Sequence, residues 1–309
     1  MKRVRTAVAA VTTALLTLSA CGGSADPLAN PPAGEAAPSD TIAIGSANFP
    51  ESTLLAEIYA GALEGKGVKV ERKLSLGSRE TYYAGLQDGS IDLIPEYTGV
   101  LLVHVNKLAG KDDTTETAED EVYSALRSAL PDTLTVLAKS SAENKDAVVV
   151  TKAFATEKNL KTIEDLAKLG PVTFGGPSEF QQRGDGLPGL AKDYGLQIKE
   201  YRSLDVGGPL TVEALKTGNV QAADLFTTDP ALKTNDFIAL EDPKLNFAAQ
   251  NVVPLINKAK ASDTVKTTLD AVSAKLTTEV LIELNAKLAG PTKPNAATVA
   301  KEWLASAGV

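Results

Sequence analysis

One order of strand-like, helix-like and glycine-ended segments occurs twice in this chain, about 130 residues apart, and it restricts the fold more than any other feature. Each copy opens with a short apolar run that ends in glycine, at Gly45 and at Gly175. Each copy closes with an L-x-x-G helix end, and an aromatic–threonine pair (Tyr97-Thr98, Phe226-Thr227) follows eleven residues after the leucine. Because alternating β-like and helix-like segments favour mostly parallel sheets covered by helices, the repeat predicts two similar α/β lobes.

Two similar lobes imply a cleft between them. Ligands of open α/β sheets bind beyond the carboxyl ends of the strands, where both glycine turns and both aromatic–threonine pairs fall. Three β-rich runs flank the second copy and favour crossover strands, and a helical C-terminal stretch should return to the first lobe. We therefore expect a discontinuous lobe 1, residues 41–143 and 252–309, and a lobe 2 inserted into it, residues 144–251.

The first 40 residues have the composition of a targeting segment followed by a tether. Three basic residues precede an uncharged apolar run that is too short to cross a membrane, so residues 1–20 are predicted to be a signal peptide. The segment ends in Leu18-Ser19-Ala20-Cys21, which resembles the lipobox of bacterial lipoproteins, whose cysteine carries a diacylglyceryl group. The alternative is a free thiol after an ordinary signal peptide. Residues 21–40 are then the lipidated Cys21 and a Pro-rich flexible tether, which predicts an extracytoplasmic protein anchored to the cell membrane.

The composition excludes several classes of function. With 31 Lys+Arg against 39 Asp+Glu, the net charge of −8 argues against nucleic-acid binding, which needs excess basic residues. One cysteine and one histidine, His104, leave no disulfide framework and no metal site built on several thiolates or imidazoles. The sequence also has no P-loop and no nucleophile elbow, so we expect no cofactor, no metal and no enzymatic activity.

Six short motifs spread over residues 41–257 resemble substrate-binding proteins of glycine betaine/choline-type ABC transporters, the ProX/OpuC/OsmF-like group. They are IGSANFPE (44–51), LGSRE (76–80), DLIPEYTG (92–99), GPSEF (176–180) with Arg183, FTTD (226–229) and LEDPK (240–244). The resemblance implies a type II periplasmic-binding-protein fold, in which a two-strand hinge joins two α/β lobes. It also implies a monomer that closes on a small solute and delivers it to a permease with ATPase subunits.

The chemistry of such a solute indicates which residues can bind it. A quaternary ammonium donates no hydrogen bonds and is held by aromatic faces, each worth about 0.5–2 kcal/mol. A carboxylate instead binds guanidinium, ammonium or backbone N–H groups. By the resemblance, Tyr97 and Phe226 are aromatic walls and Arg183 is the anion clamp. The other expected ligand contacts lie in the turns and the hinge: Asn48, Phe49, Ser52, Thr98, Asp146, Thr227 and Gln250.

Several positions depart from the betaine-binding pattern. Gln250 stands where family members often have tyrosine, and Val100 stands where they often have threonine. A four-walled tyrosine cage is therefore not expected. A sugar-like solute, a polyphenol or another polar or aromatic solute stays an alternative, as does a lipoprotein that acts as a sensor or chaperone.

Some of these residues also have purely structural interpretations. Arg183 can pair with Glu179 one helical turn away, and the Arg79-Glu80 pair can bridge the lobes. Adjacent helical residues point about 100° apart, so at most one of Tyr82 and Tyr83 can face the cleft.

Overall fold

Two five-stranded sheets organise the computed structural model, which describes residues 41–111 and 114–309. The predicted signal peptide, Cys21 and the tether lie outside the described residues. The strands are β1 (Thr41–Gly45), β2 (Lys69–Lys73), β3 (Leu93–Tyr97), β4 (Leu134–Val136), β5 (Asp146–Thr151), β6 (Val172–Gly176), β7 (Ile198–Ser203), β8 (Ala222–Phe226), β9 (Phe237–Ala239) and β10 (Val252–Asn257).

The two sheets have the same arrangement, as the sequence repeat predicts. Lobe 1 is built on the order β2-β1-β3-β10-β4, and lobe 2 is built on β7-β6-β8-β5-β9. In each sheet four strands run in one direction, while the strand that enters from the other lobe, β10 or β5, runs antiparallel to both of its neighbours. The sheets are therefore mixed, because each crossover strand arrives from the opposite lobe and not through a helix of its own sheet.

Helices cover both sheets. In lobe 1 they are α1 (Pro50–Gly65), α2 (Arg79–Asp88), α3 (Thr98–Leu108), α4 (Glu119–Ala129), α10 (Asp263–Ser273), α11 (Thr278–Ala289) and α12 (Ala296–Ala307). In lobe 2 they are α5 (Lys152–Lys158), α6 (Ile163–Lys168), α7 (Leu187–Tyr194), α8 (Pro209–Lys216) and α9 (Ala231–Thr234), with a 3-10 turn at Ser178–Gln181. No helix among the described residues is long and apolar enough to cross a membrane.

Local signals in the sequence fix several helix ends. Gly89 and Gly195 end α2 and α7 in the left-handed conformation, with φ of 77° and 67°, which glycine adopts without steric cost. Pro50 occupies the first turn of α1, where the missing N–H costs nothing. These signals lie within a few residues of the ends that they set, so the sequence predicts the element order well.

The C-terminal helices return to lobe 1 and pack against α1. Helices α1 and α12 approach each other closely at Gly61, because a Cβ at this position would lie 2.8 Å from Leu304 Cδ1 of α12. Trp303 is buried in the same apolar core. In lobe 2, Phe174 and Phe180 stack with ring centroids 5.7 Å apart inside the core.

Two connecting segments, residues 137–145 and 240–251, form the hinge between the sheets. They pair with each other through an antiparallel bridge between Glu143 and Asn251. Further hydrogen bonds hold them together, from Asn144 N to Gln250 O at 3.1 Å and from Val252 N to Ala142 O at 2.9 Å. The lobes are therefore joined by two paired chains, a connection that resists sliding and permits bending.

Candidate binding cleft

A cleft of about 530 Å³ of empty space, partly open to solvent, lies between the lobes at the carboxyl ends of their strands. Lobe 1 supplies the turn after β1, the start of α2 and the junction of β3 and α3. Lobe 2 and the hinge supply the other wall. The lining residues are Ala47, Asn48, Phe49, Ser52, Ser78, Arg79, Tyr82, Pro95, Tyr97, Val100, Asn144, Asp146, Glu179, Arg183, Val206, Phe226 and Gln250.

Four aromatic side chains line this cleft. Phe49 of lobe 1 faces Phe226 of lobe 2 with ring centroids 5.3 Å apart, and it lies 6.2 Å from the ring of Tyr97. Tyr82 is the fourth aromatic side chain, whereas Tyr83 turns away and meets the ring of His104 edge-on at 4.9 Å. The cleft thus has aromatic surface from both lobes, and only one member of the adjacent tyrosine pair contributes to it.

His104 is a packed structural residue. Burial lowers its pKa to about 4, with a further contribution from the charge of Arg79, so the imidazole is neutral near pH 7. It is not among the residues that line the cleft.

Glu51, at the start of α1, joins four segments at the base of the cleft. Glu51 is only 4 % exposed. One carboxylate oxygen accepts from Tyr97 Oη at 2.6 Å and from Asn144 Nδ2 at 2.7 Å. The other accepts from Thr228 Oγ1 at 2.6 Å and from Asn285 Nδ2. Because Thr228 follows the lobe 2 strand β8 and Asn285 lies on the lobe 1 helix α11, this carboxylate connects the two lobes next to the hinge.

Arg79 forms a buried ion pair within lobe 1. Its Nε and Nη2 donate to the two carboxylate oxygens of Glu96 at 2.8 and 2.9 Å, and Tyr82 Oη donates to Glu96 Oε1 at 2.7 Å. Burial by itself would raise the pKa of Glu96, but the charge and hydrogen bonds of Arg79 hold it below its ordinary value. Arg79 and Glu96 therefore both stay ionised, and the carboxylate of Glu96 neutralises the charge of Arg79.

Arg183 forms the corresponding pair across the cleft. Its Nε and Nη2 donate to the two oxygens of Glu80 at 3.2 and 3.3 Å, which joins lobe 2 to lobe 1. Glu179, one helical turn away on the same lobe, lies 4.0 Å from Nη2. Burial alone would raise the pKa of Glu80, but the hydrogen bonds and charge of Arg183 bring this pKa down to about 2. Of the Arg79-Glu80 pair, only Glu80 bridges the lobes.

Three carboxyl groups gather on the lobe 2 side, those of Asp146, Asp185 and Asp224. Burial, followed by the charge of Asp146, raises the pKa of Asp185 to about 6 and that of Asp224 well above its ordinary value. Gln250 Nε2 donates to Asp146 Oδ2 at 3.2 Å, and Asp224 Oδ1 is a buried oxygen without a hydrogen-bond partner. Within the described residues no group of His, Cys, Asp and Glu side chains has an arrangement that could hold a metal ion.

The structure brings eight of the ten sequence-predicted contact residues to the cleft: Asn48, Phe49, Ser52, Tyr97, Asp146, Arg183, Phe226 and Gln250. Thr98 and Thr227 are not among the lining residues. The Thr98 hydroxyl donates to Ala249 O at 3.1 Å, and the Thr227 hydroxyl accepts from Lys145 N at 3.0 Å. Both hydroxyls therefore hold the hinge.

Sequence reasoning missed Glu51 as an acceptor between the lobes and did not identify Glu80 as the partner of Arg183. Glu51 carried a weak signal, an acidic residue in the first turn of a helix, but its partner Asn285 lies 234 residues along the chain. Asn48 does not cap α1, because Phe49 occupies the N-cap position and no side chain binds there. Ser52 instead accepts from Ala47 N at 2.9 Å and fixes the turn before the helix.

Comparison with known proteins agrees with this geometry. Residues 40–306 match the family model described as the substrate binding domain of ABC-type glycine betaine transport systems. Curated relatives include the carnitine transport binding protein OpuCC of Listeria monocytogenes, 27% identical, with 86% of each chain covered. Another is the glycine betaine-binding protein YehZ of Escherichia coli, 25% identical over 80% of this chain and 85% of that one. An ergothioneine transport permease/binding protein of Helicobacter pylori is 26% identical over 84% of this chain and 46% of its own length.

Solved structures of such proteins share the fold. A glycine betaine/carnitine/choline ABC transporter structure superposes with a TM-score of 0.67 at 24% identity and covers 86% of this chain and 98% of its own. The lactococcal OpuAC structure, closed on glycine betaine, superposes with a TM-score of 0.59 at 14% identity and covers 86% and 95%.

Proposed function

This chain belongs to the family of substrate-binding domains of ABC-type glycine betaine transport systems, and we propose that it captures a quaternary ammonium osmolyte in the cleft between its lobes. It delivers that solute to a permease and its ATPase subunits, and it does not chemically change it. The observation that carries the proposal is the aromatic contact between Phe49 and Phe226, which face each other from opposite lobes beside Tyr97.

An aromatic pair of this kind suits a cation that cannot donate hydrogen bonds. The faces of aromatic rings attract a quaternary ammonium electrostatically, by about 0.5–2 kcal/mol each depending on desolvation. Because Phe49 and Phe226 belong to different lobes, a cation that touches both rings contacts both lobes, and the rings, whose centroids lie 5.3 Å apart, must separate to admit it. Ligand binding therefore favours the closed form, since a ligand shifts an equilibrium only through its differential affinity for the two states.

Closure also has direct interlobe contacts to stabilise it. Glu80 meets Arg183, Glu51 meets Thr228, and Lys107 Nζ donates to Gln182 O at 3.0 Å. We place the lobe boundaries at the bridge between Glu143 and Asn251, so that residues 41–143 and 252–309 form lobe 1 and residues 144–251 form lobe 2. Bending at this paired hinge is the opening motion.

The protein acts outside the cytoplasm, as a monomer held to the membrane by a lipid on Cys21. Support comes from the lipobox-like sequence before the only cysteine of the chain. Mass spectrometry of the membrane fraction tests this. A diacylglyceryl adduct is expected on the wild type, and Cys21→Ala should release the protein from the membrane. A wild-type protein that starts before Cys21 and lacks lipid would contradict the anchor.

The binding proposal is tested by isothermal titration with choline, glycine betaine and carnitine, each of which carries a trimethylammonium group. We expect at least one to bind, and Phe226→Ala to weaken it. Leu210→Ala, which removes an exposed apolar side chain of lobe 2, is the control and should not change the affinity. Binding of only sugars or polyphenols by the same protein would keep the carrier role and overturn the assignment to quaternary amines.

A further inference from the structure

Both guanidinium groups of the cleft are already bound to carboxylates. Arg79 and Arg183 are the cationic side chains among the residues that line it. Arg79 uses Nε and Nη2 to hold both oxygens of Glu96, and Arg183 uses the same two nitrogens to hold both oxygens of Glu80. Each pair occupies the Nε–Nη2 edge of its guanidinium and balances its charge, so a solute carboxylate would find only the Nη1–Nη2 edge and no uncompensated positive charge.

The Arg183 pair has a second role, because its two members lie on different lobes. Arg183 and Glu80 are separated by 103 residues and meet only when the lobes are together. Closing the cleft thus supplies the partner of Arg183 from the protein itself. A solute carboxylate on Arg183 would have to share the guanidinium with Glu80, whose negative charge already compensates it.

The charges that remain along the cleft are negative. The two arginine–glutamate pairs cancel, which leaves Asp146 and Glu179 among the lining residues. A carboxylate brought into this space would meet like charges of low solvent exposure, which is unfavourable.

The position of Asp146 suits a cation. Asp146 on β5 stands directly opposite Phe226 on β8 in the antiparallel ladder. Side chains in such pairs have Cβ atoms about 4.5–5.5 Å apart. A positive group against the Phe226 ring is therefore also next to a carboxylate, and both contacts attract the same charge.

We propose that the cleft selects a solute of net positive charge without a carboxylate, that Asp146 is a specificity-determining residue for this cation, and that Arg183 stabilises closure and does not clamp an anion. The proposal rests on the function proposed above and narrows its ligand from quaternary amines in general to monocations. It also separates this chain from the binding of zwitterionic osmolytes that the names of several relatives describe.

Choline and glycine betaine form a matched pair for the test, because they share the trimethylammonium group and differ in carrying a hydroxymethyl group or a carboxylate. Isothermal titration of the purified protein should give at least roughly tenfold tighter binding of choline, which corresponds to about 1.4 kcal/mol. Asp146→Asn should weaken choline binding roughly tenfold and leave glycine betaine nearly unchanged.

Two further variants distinguish the roles of Arg183. Arg183→Ala should weaken both compounds by the same factor, because it removes a closure contact. Glu80→Gln releases the guanidinium and should shrink the preference for choline. Glu200→Gln, a glutamate of an exposed lobe 2 ion pair with Arg202, is the control and should change neither affinity.

Contrary results have separate meanings. Tighter binding of glycine betaine, selectively lost in Arg183→Ala, overturns the proposed charge selection while the function proposed above stands. Binding of carnitine alone, which carries a carboxylate, overturns only the charge selection. Failure of choline, glycine betaine and carnitine alike to bind to protein that shows a cooperative unfolding transition overturns the quaternary-amine function, and this inference with it.

Discussion

Replacement of Glu51 by methionine should strongly destabilise the protein, because its carboxylate is the common acceptor for four side chains. Methionine keeps the length of the side chain and removes both oxygens. Asn144 Nδ2 would lose this acceptor, whereas Asn285 Nδ2 keeps Thr228 Oγ1 at 3.2 Å and the hydroxyls of Tyr97 and Thr228 can rotate. A buried donor left without a partner costs about 1–3 kcal/mol, so the Asn144 amide predicts a loss of about 1–3 kcal/mol.

Urea unfolding measures this loss, from the shift of the midpoint and the slope of the transition. Circular dichroism follows both lobes, whereas fluorescence follows lobe 1, because Trp303 is the one tryptophan of the chain and is buried there. Since Glu51 connects the lobes, we expect the two signals to coincide in the wild type and to separate in Glu51→Met.

Glu64→Met is the matched control, on the same helix. Glu64 is exposed and pairs with Arg72 at 2.6 Å, and surface pairs are worth only about 0–1 kcal/mol. If Glu51→Met lost no more stability than Glu64→Met, the buried donors would have found other partners and the reasoning would be refuted.

Three further predictions follow from individual side chains. Phe226→Ala should weaken choline binding roughly 2- to 30-fold in isothermal titration, the range that one cation–π contact covers. Lowering the pH from 7.5 to 5 should raise the thermal midpoint, because burial raises the pKa of Asp185 and Asp229 to about 6 and the folded state takes up protons that the unfolded state has released. The lowered pKa of His104 opposes this rise, and Asp185→Asn should reduce it; a rise in that variant as large as in the wild type would contradict the assignment. Gly99→Ala should destabilise the hinge by about 1–3 kcal/mol in urea, because its Cβ would lie 2.7 Å from a hinge carbonyl oxygen. Gly65→Ala, at the last residue of α1, is the control and should cost no stability, because the added Cβ meets no neighbouring side chain there.

The ends of the repeated elements could be predicted because the signals for them are local. Gly89 and Gly195 end helices because glycine adopts the left-handed conformation. Tyr97 and Phe226 lie at the carboxyl ends of their strands, and the order of strands and helices predicts that these ends meet at one edge of each sheet. That order also places the cleft, and eight of the ten contact residues predicted from the sequence line it.

Other roles depended on which side chain lies across the cleft. Thr98 and Thr227 stand beside the aromatic walls in sequence, yet their hydroxyls point to hinge backbone. Arg183 has Glu179 one turn away, yet it pairs with Glu80 from the other lobe. Sequence spacing shows only which charged residues are close along the chain. The partner that a charged side chain binds is set by distance and burial once the lobes are together.

The sequence by itself therefore determined the two α/β lobes, the position of the cleft between them and its aromatic walls. These features depend on backbone hydrogen bonding and apolar periodicity, which act over a few residues. Only the tertiary structure decided that Glu51 joins the lobes and that both arginines of the cleft are neutralised. Those pairings connect residues 17 to 234 positions apart, and they exist because folding brings oppositely charged and hydrogen-bonding groups together, in buried surroundings for Glu51 and Arg79 and at a more exposed position for Arg183 and Glu80.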